Sequence, residues 1–88
     1  MAWKVEITPK ADAALEKLGT VEAQRILKFL FERLRGRDDP REIGGPLKSN
    51  LREFWRYRVG GYRILCRLDD GVLTVFVVHI AHRREVYD

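Results

Sequence analysis

Side chains that serve as nucleophiles or soft metal ligands are almost missing from this chain: Cys66 is its one cysteine, Ser49 its one serine, and His79 and His82 its two histidines. A lone cysteine cannot close an internal disulfide. Two histidines with a single distant cysteine do not make a plausible zinc set, so no metal or other cofactor is expected. A Ser-His-Asp or Cys-His hydrolase is poorly supported on the same count, and Cys66 reads as a strand-core residue. Long apolar runs are lacking too. The longest, residues 72–80, is interrupted by Thr74 and His79 and falls far short of the roughly 20 residues of a spanning helix, so no membrane span is expected. The opening M-A-W-K-V-E-I has no apolar stretch of the secretory kind, which sets the expected location in the cytoplasm. There is no phosphate-binding glycine loop, because Gly60-Gly61 joins two strand-like runs rather than a strand and a helix. ATP or GTP binding is not expected.

What the chain does have is arginine, apolar residues and charge in the proportions of a soluble globular domain: 45% hydrophobic, 34% charged and a formal net charge of +4. Its 88 residues suit one domain, a layer of helices over a sheet. The basic excess is uneven. Residues 41–88 hold nine Lys or Arg against six acids, a difference of +3, whereas residues 1–40 hold eight against seven, a difference of +1. An acidic partner is implied, and the bias lies with the strand-rich half.

The chain opens with Trp3, Val5 and Ile7 alternating with Lys4 and Glu6, which predicts a half-buried strand over residues 2–7. Thr8 before Pro9 is a helix entrance, the threonine capping free backbone N–H groups. Ala11, Ala14, Leu15 and Leu18 continue as an apolar stripe that Gly19 ends. Thr20 is placed to cap a second helix carrying Ala23, Ile26, Leu27, Leu30 and Leu34 at spacings of three and four. Residues 36–48 are rich in Asp, Gly and Pro and read as a long connection anchored at its end by Leu47.

The centre of the pattern is F-W-R-Y-R-V-G-G-Y-R at residues 54–63. In an extended chain Trp55, Tyr57 and Val59 share one face, and Phe54, Arg56 and Arg58 the other. Gly60-Gly61 supplies a tight turn, and residues 62–68 return with Arg63 and Arg67 on the face of Leu65. A second turn at Asp69-Asp70-Gly71 leads into an apolar strand over residues 72–80. The predicted order is β-α-α-β-β-β, an α+β fold with a helical hairpin on one face of a small, mostly antiparallel sheet. The opposite face then presents Arg56, Arg58, Arg63 and Arg67 together. Planar guanidinium forks suit phosphate, and nearby rings offer stacking surfaces for bases. An RNA ligand brings its own nucleophile, the 2′-OH, so arginine, histidine and tyrosine suffice for metal-free phosphoryl transfer. The plainer alternatives are a solvated arginine face or a dock for an acidic protein. Trp55 and Tyr57 also read more readily as core than as stacking platforms, and His79 as structural.

The order of elements, with W-R-Y-R-V-G-G-Y-R-I-L at residues 55–65 and H-R-R-E-V-Y at residues 82–87, resembles the RelE/ParE superfamily of bacterial toxin-antitoxin toxins. The resemblance covers essentially the full chain and is strongest over residues 54–88. It implies a messenger RNA endonuclease acting in the ribosomal A site and inhibiting translation, as in RelE-type members, or a DNA gyrase inhibitor, as in ParE-type members. A weakly catalytic homologue that acts mainly by binding its antitoxin is the third possibility. Carried across residue by residue, Arg56 and Arg58 match two basic positions that are lysines in the best-known RelE pattern. Arg63 matches the arginine that contacts the reacting phosphate, Arg83 a second C-terminal arginine, and Tyr87 the tyrosine that orients or deprotonates the 2′-OH, with His82 as an alternative. Arginine in place of lysine gives a strong clamp but a poor proton donor or acceptor. The implied partners are a small acidic RelB-like antitoxin, the ribosome with its message, and operator DNA reached only through the antitoxin.

Overall fold

The computed structural model describes residues 2–47 and 53–82. Strand β1 (Lys4–Ile7) leads into helix α1 (Pro9–Leu18), and helix α2 (Thr20–Lys28) follows after Gly19. Thr8 works at both ends of this entrance. Its Oγ1 accepts from the Ala11 N–H at 3.3 Å, and its hydroxyl donates to the Val77 carbonyl at 2.8 Å, tying the start of α1 to the sheet. Such a cap is worth about 1 kcal/mol.

Thr20 does not cap α2. Gly19, at φ 87°, closes α1 and also precedes α2 without a side-chain cap, so Thr20 already lies inside the helix. Helix α2 then loosens into a π-helical turn over Phe29–Leu34, closed by an i→i+5 bond from the Arg35 N–H to the Leu30 carbonyl at 2.9 Å. The predicted stripe survives this change of pitch: Ile26, Leu30 and Leu34 are all fully buried.

The long connection is more ordered than its composition suggests. It contains a 3₁₀ turn at Pro40–Glu42 and a two-residue strand β2 (Gly45–Pro46), and Leu47 is buried as expected. Four side-chain hydrogen bonds help to hold it. Tyr57 donates its hydroxyl to the Pro40 carbonyl at 2.7 Å, Trp55 Nε1 donates to the Ile43 carbonyl at 2.8 Å, and Arg41 makes a bidentate pair with Asp70 at 3.0 and 3.1 Å.

The remaining strands are β3 (Phe54–Val59), β4 (Tyr62–Asp69) and β5 (Thr74–His82). The sheet order is β1-β5-β4-β3-β2, antiparallel throughout except for β1 beside β5. Two helices packed on a mixed five-stranded sheet make this an α+β fold, with one strand more than the sequence pattern predicted. Val72 and Leu73 belong to the turn before β5, where Leu73 takes φ 47° and its carbonyl accepts from the Lys4 N–H at 2.8 Å. The core lies between helices and sheet and includes Trp3, Leu15, Tyr57, Ile64, Cys66, Val75 and Val77. Among the described residues, no helix is long and apolar enough to cross a membrane.

Strand β5 carries a bulge. Leu65 faces His79 while Cys66 faces Val77, so Val78 has no counterpart on β4. One extra residue reverses which face each later side chain occupies. Val75 and Val77 point to the core before it, and Ile80 does so after it.

Candidate nucleic-acid interface

The β3–β4 hairpin builds the site. Gly60 adopts φ 59° and Gly61 does not share a positive value, the pattern of a two-residue type II′ turn that matches strand twist. That turn fixes the register: Arg58 lies directly opposite Arg63, and Arg56 directly opposite Leu65. Tyr57, Val59, Ile64 and Cys66 point into the core, which sends Arg56, Arg58 and Arg63 to the face away from the helices. Arg58 is exposed, whereas Arg56 and Arg63 are half-buried and the Nε of Arg63 is shut off from solvent.

Like charges directly opposite each other across strands are unfavourable, and an anion placed between them offsets the cost. The electrostatics agree with this crowding. The Arg56 guanidinium is held below its ordinary basicity, first by burial and then by the neighbouring charges of Arg58 and Arg63. It remains cationic at any physiological pH.

Arg67 does not join this group. It sits opposite Phe54, about 13 Å along β4 from Arg63. Its guanidinium lies 4.6 Å from the centre of the Phe76 ring and 3.8 Å from the Asp69 carboxylate. The expectation that four arginines converge is therefore corrected to three.

His82 is also separated from the arginine face. It pairs in register with Tyr62 and packs edge-on against that ring at 5.5 Å, on the helix side of the sheet. Plain alternation from Phe76 would have placed it among the arginines, and the bulge at Val78 turns it away. There it lines a groove with Lys10 and Lys17 of α1. Arg83 and Tyr87, the remaining candidates, lie outside the described residues.

Trp55 and Tyr57 belong to the core and to the long connection rather than to a stacking platform. Burial pushes the Tyr57 phenol well above its usual pKa, so it stays protonated and its hydroxyl remains a donor. Cys66 is fully buried and its thiol is raised likewise, which makes it unreactive. Among the described residues, no three His, Cys, Asp or Glu side chains converge as a metal site.

The sequence pattern missed one part of this surface. A cleft of about 370 Å³ opens beside β3, lined by Phe29, Arg33, Ile43, Gly44, Arg56, Tyr57 and Arg58. Arg33 falls outside the apolar stripe of α2, so the spacing assigns it no role. It reaches the cleft because the π-helical turn changes the pitch of α2, which the apolar spacing does not reveal.

Comparison with known proteins bears on what this surface does. Residues 5–87 match the family model described as ParE toxin of type II toxin-antitoxin system, parDE. Toxin RelG of Mycobacterium tuberculosis is 32% identical over 87 residues, covering 99% of this chain and 98% of the relative. Toxin RelE of the same organism is 33% identical over 85 residues, covering 97% and 86% respectively. Among solved structures, a chain of the Mycobacterium tuberculosis toxin-antitoxin complex RelBE2 superposes with a TM-score of 0.85 at 31% identity, covering 94% of this chain and 100% of that one.

Proposed function

This chain belongs to the RelE/ParE superfamily and is a type II toxin of a toxin-antitoxin system, and from that premise we propose that it is a ribosome-dependent messenger RNA endonuclease that inhibits translation. The observation that carries the reading is the facing pair Arg58 and Arg63, with Arg56 two positions along the same strand face.

In the proposed reaction the 2′-OH of one nucleotide attacks the adjoining phosphorus, and the bond from phosphorus to the 5′ oxygen of the next nucleotide breaks. The products are a cyclic 2′,3′-phosphate, which opens to a 3′-phosphate, and a 5′-OH end. Arg63 and Arg83 hold the phosphate whose negative charge grows. Arg56 and Arg58 bind its neighbourhood and stabilise the leaving oxygen until water protonates it, since a guanidinium is a poor proton donor. Tyr87 takes the 2′-OH proton. A free phenol has a pKa of about 10, and surrounding positive charge favours the phenolate. His82 is the weaker candidate, because its ring packs against Tyr62 on the other side of the sheet.

The partner is a small acidic antitoxin of the RelB type. Support comes from the RelBE2 relative, whose structure is that of a toxin-antitoxin complex. A segment that folds on the toxin would mask the arginines.

The matching family model is that of ParE toxins, which favours a second reading as a gyrase inhibitor. Two assays run side by side separate them. Purified toxin is expected to cleave messenger RNA on programmed ribosomes and to leave gyrase supercoiling untouched. The reverse pattern would replace the first reading with the second.

A further inference from the structure

We infer that the cleft between β3 and the π-helical turn is a second anion site, where Arg33, with Arg56 and Arg58, holds an RNA phosphate next to the one being cleaved. The inference rests on the RNA reading above and extends it to a residue outside the hairpin.

The cleft is built for a polyanion. Three arginines contribute to its lining at the rim of β3, and no Asp or Glu does so among the described residues. Its volume of about 370 Å³ falls in the range of small-ligand sites, about 300–1,000 Å³. The wall opposite the helix is Ile43-Gly44. Gly44 takes φ 77°, and a side chain there would run into the Arg56 carbonyl, so this wall is held tightly against β3.

Arg33 is preorganised. Its guanidinium lies 5.7 Å from the centre of the Phe29 ring, and that ring packs in turn against Tyr57 at 5.6 Å. An arginine resting on an aromatic face keeps its fork available to a ligand at low entropic cost.

Continuity decides for RNA over an acidic peptide. Arg58 lines this cleft, and it also lines the hollow it shares with Arg63 beside the Gly60-Gly61 turn. A strand gripped between Arg58 and Arg63 therefore delivers its next phosphodiester over the edge of β3 to Arg33. A further hollow continues the positive track along α2, past Arg25 and Lys28, with Glu32 as its one acid. Such sequence-tolerant backbone tracking is how single-stranded nucleic acid is commonly held.

The test uses a six-nucleotide RNA made uncleavable by 2′-deoxy substitution, titrated into the isolated protein at several salt concentrations. Each phosphate contact contributes about 0.7 to the slope of log affinity against log salt for a single strand. Arg33→Gln is expected to weaken binding five- to tenfold and to make the slope shallower by about 0.7, with Arg33→Lys restoring most of both. On programmed ribosomes the same variant should raise the half-saturating toxin concentration far more than it lowers the plateau rate. A shift seen only on ribosomes supports the site with ribosomal RNA as the source of the phosphate. Unchanged affinity and slope in both settings would overturn the subsite and leave the endonuclease reading standing. Loss of binding to an acidic antitoxin peptide alone would also overturn it, by giving the cleft to that partner. A wild-type protein that neither binds nor cleaves RNA would remove both.

Discussion

At the scale of single residues, the two arginines that face each other across the hairpin, Arg58 and Arg63, carry the proposed activity, and each can be tested by substitution. Arg63→Ala removes one of the two charges that oppose each other across the hairpin. The expected cost in cleavage on programmed ribosomes is about 100-fold or more, the range for losing one group that stabilises developing negative charge. Antitoxin affinity should change little, and full toxicity of the variant would refute the assignment. Tyr57 is the opposite kind of residue. Its hydroxyl donates to the Pro40 carbonyl from inside the core, so Tyr57→Phe leaves a buried acceptor unsatisfied at about 1–3 kcal/mol. Thermal unfolding should register a drop of roughly 4–8 °C for each kcal/mol lost. The alternation at residues 54–63 was enough to put these two side chains on opposite faces, because a period of two assigns each side chain to a face without knowledge of the partner strand.

At the scale of elements, the helical hairpin and the arginine hairpin were legible because glycine, proline and apolar spacing mark them directly. Three features were not. Strand β2 is two residues long and includes Pro46, so no local pattern announces it. The π-helical turn preserves the apolar stripe while re-aiming Arg33, and spacing alone cannot tell the two pitches apart. The bulge at Val78 lies among apolar residues on both faces, where the pattern has no parity to violate, so the face that His82 occupies could not be read from it. Gly44 offers a direct test of how firmly the long connection is bound to β3. Gly44→Ala should perturb both, since the new carbon would lie 2.8 Å from Trp55 Nε1 in a backbone conformation that side chains disfavour. We expect at least 2 kcal/mol of destabilisation in denaturant unfolding, in the range for core overpacking, with weakened RNA binding beside it.

At the scale of the whole molecule, two buried acids set an alkaline limit. The Tyr57 phenol has an ordinary pKa of 10.0 and the Cys66 thiol one of 9.0, and burial raises both in the folded state. The fold therefore keeps protons that the unfolded chain releases. Their contribution is complete below about pH 9 and declines as pH climbs through 9 and then 10, by at most about 1.4 kcal/mol per pH unit for each group. Denaturant melts between pH 7 and 11 should show this decline, and Tyr57→Phe should flatten its upper part. The parallel neighbours β1 and β5 have a different consequence, one that concerns synthesis. Lys4–Ile7 cannot dock until Thr74–Val77 has been made, and the Thr8 tether to Val77 waits on the same event. During translation the strand Lys4–Ile7 and both helices must idle without their platform, because the strand they pair with is made some 70 residues later. A chain with this topology is thus inert while those two strands are still apart, and whatever the finished fold does cannot begin before they meet.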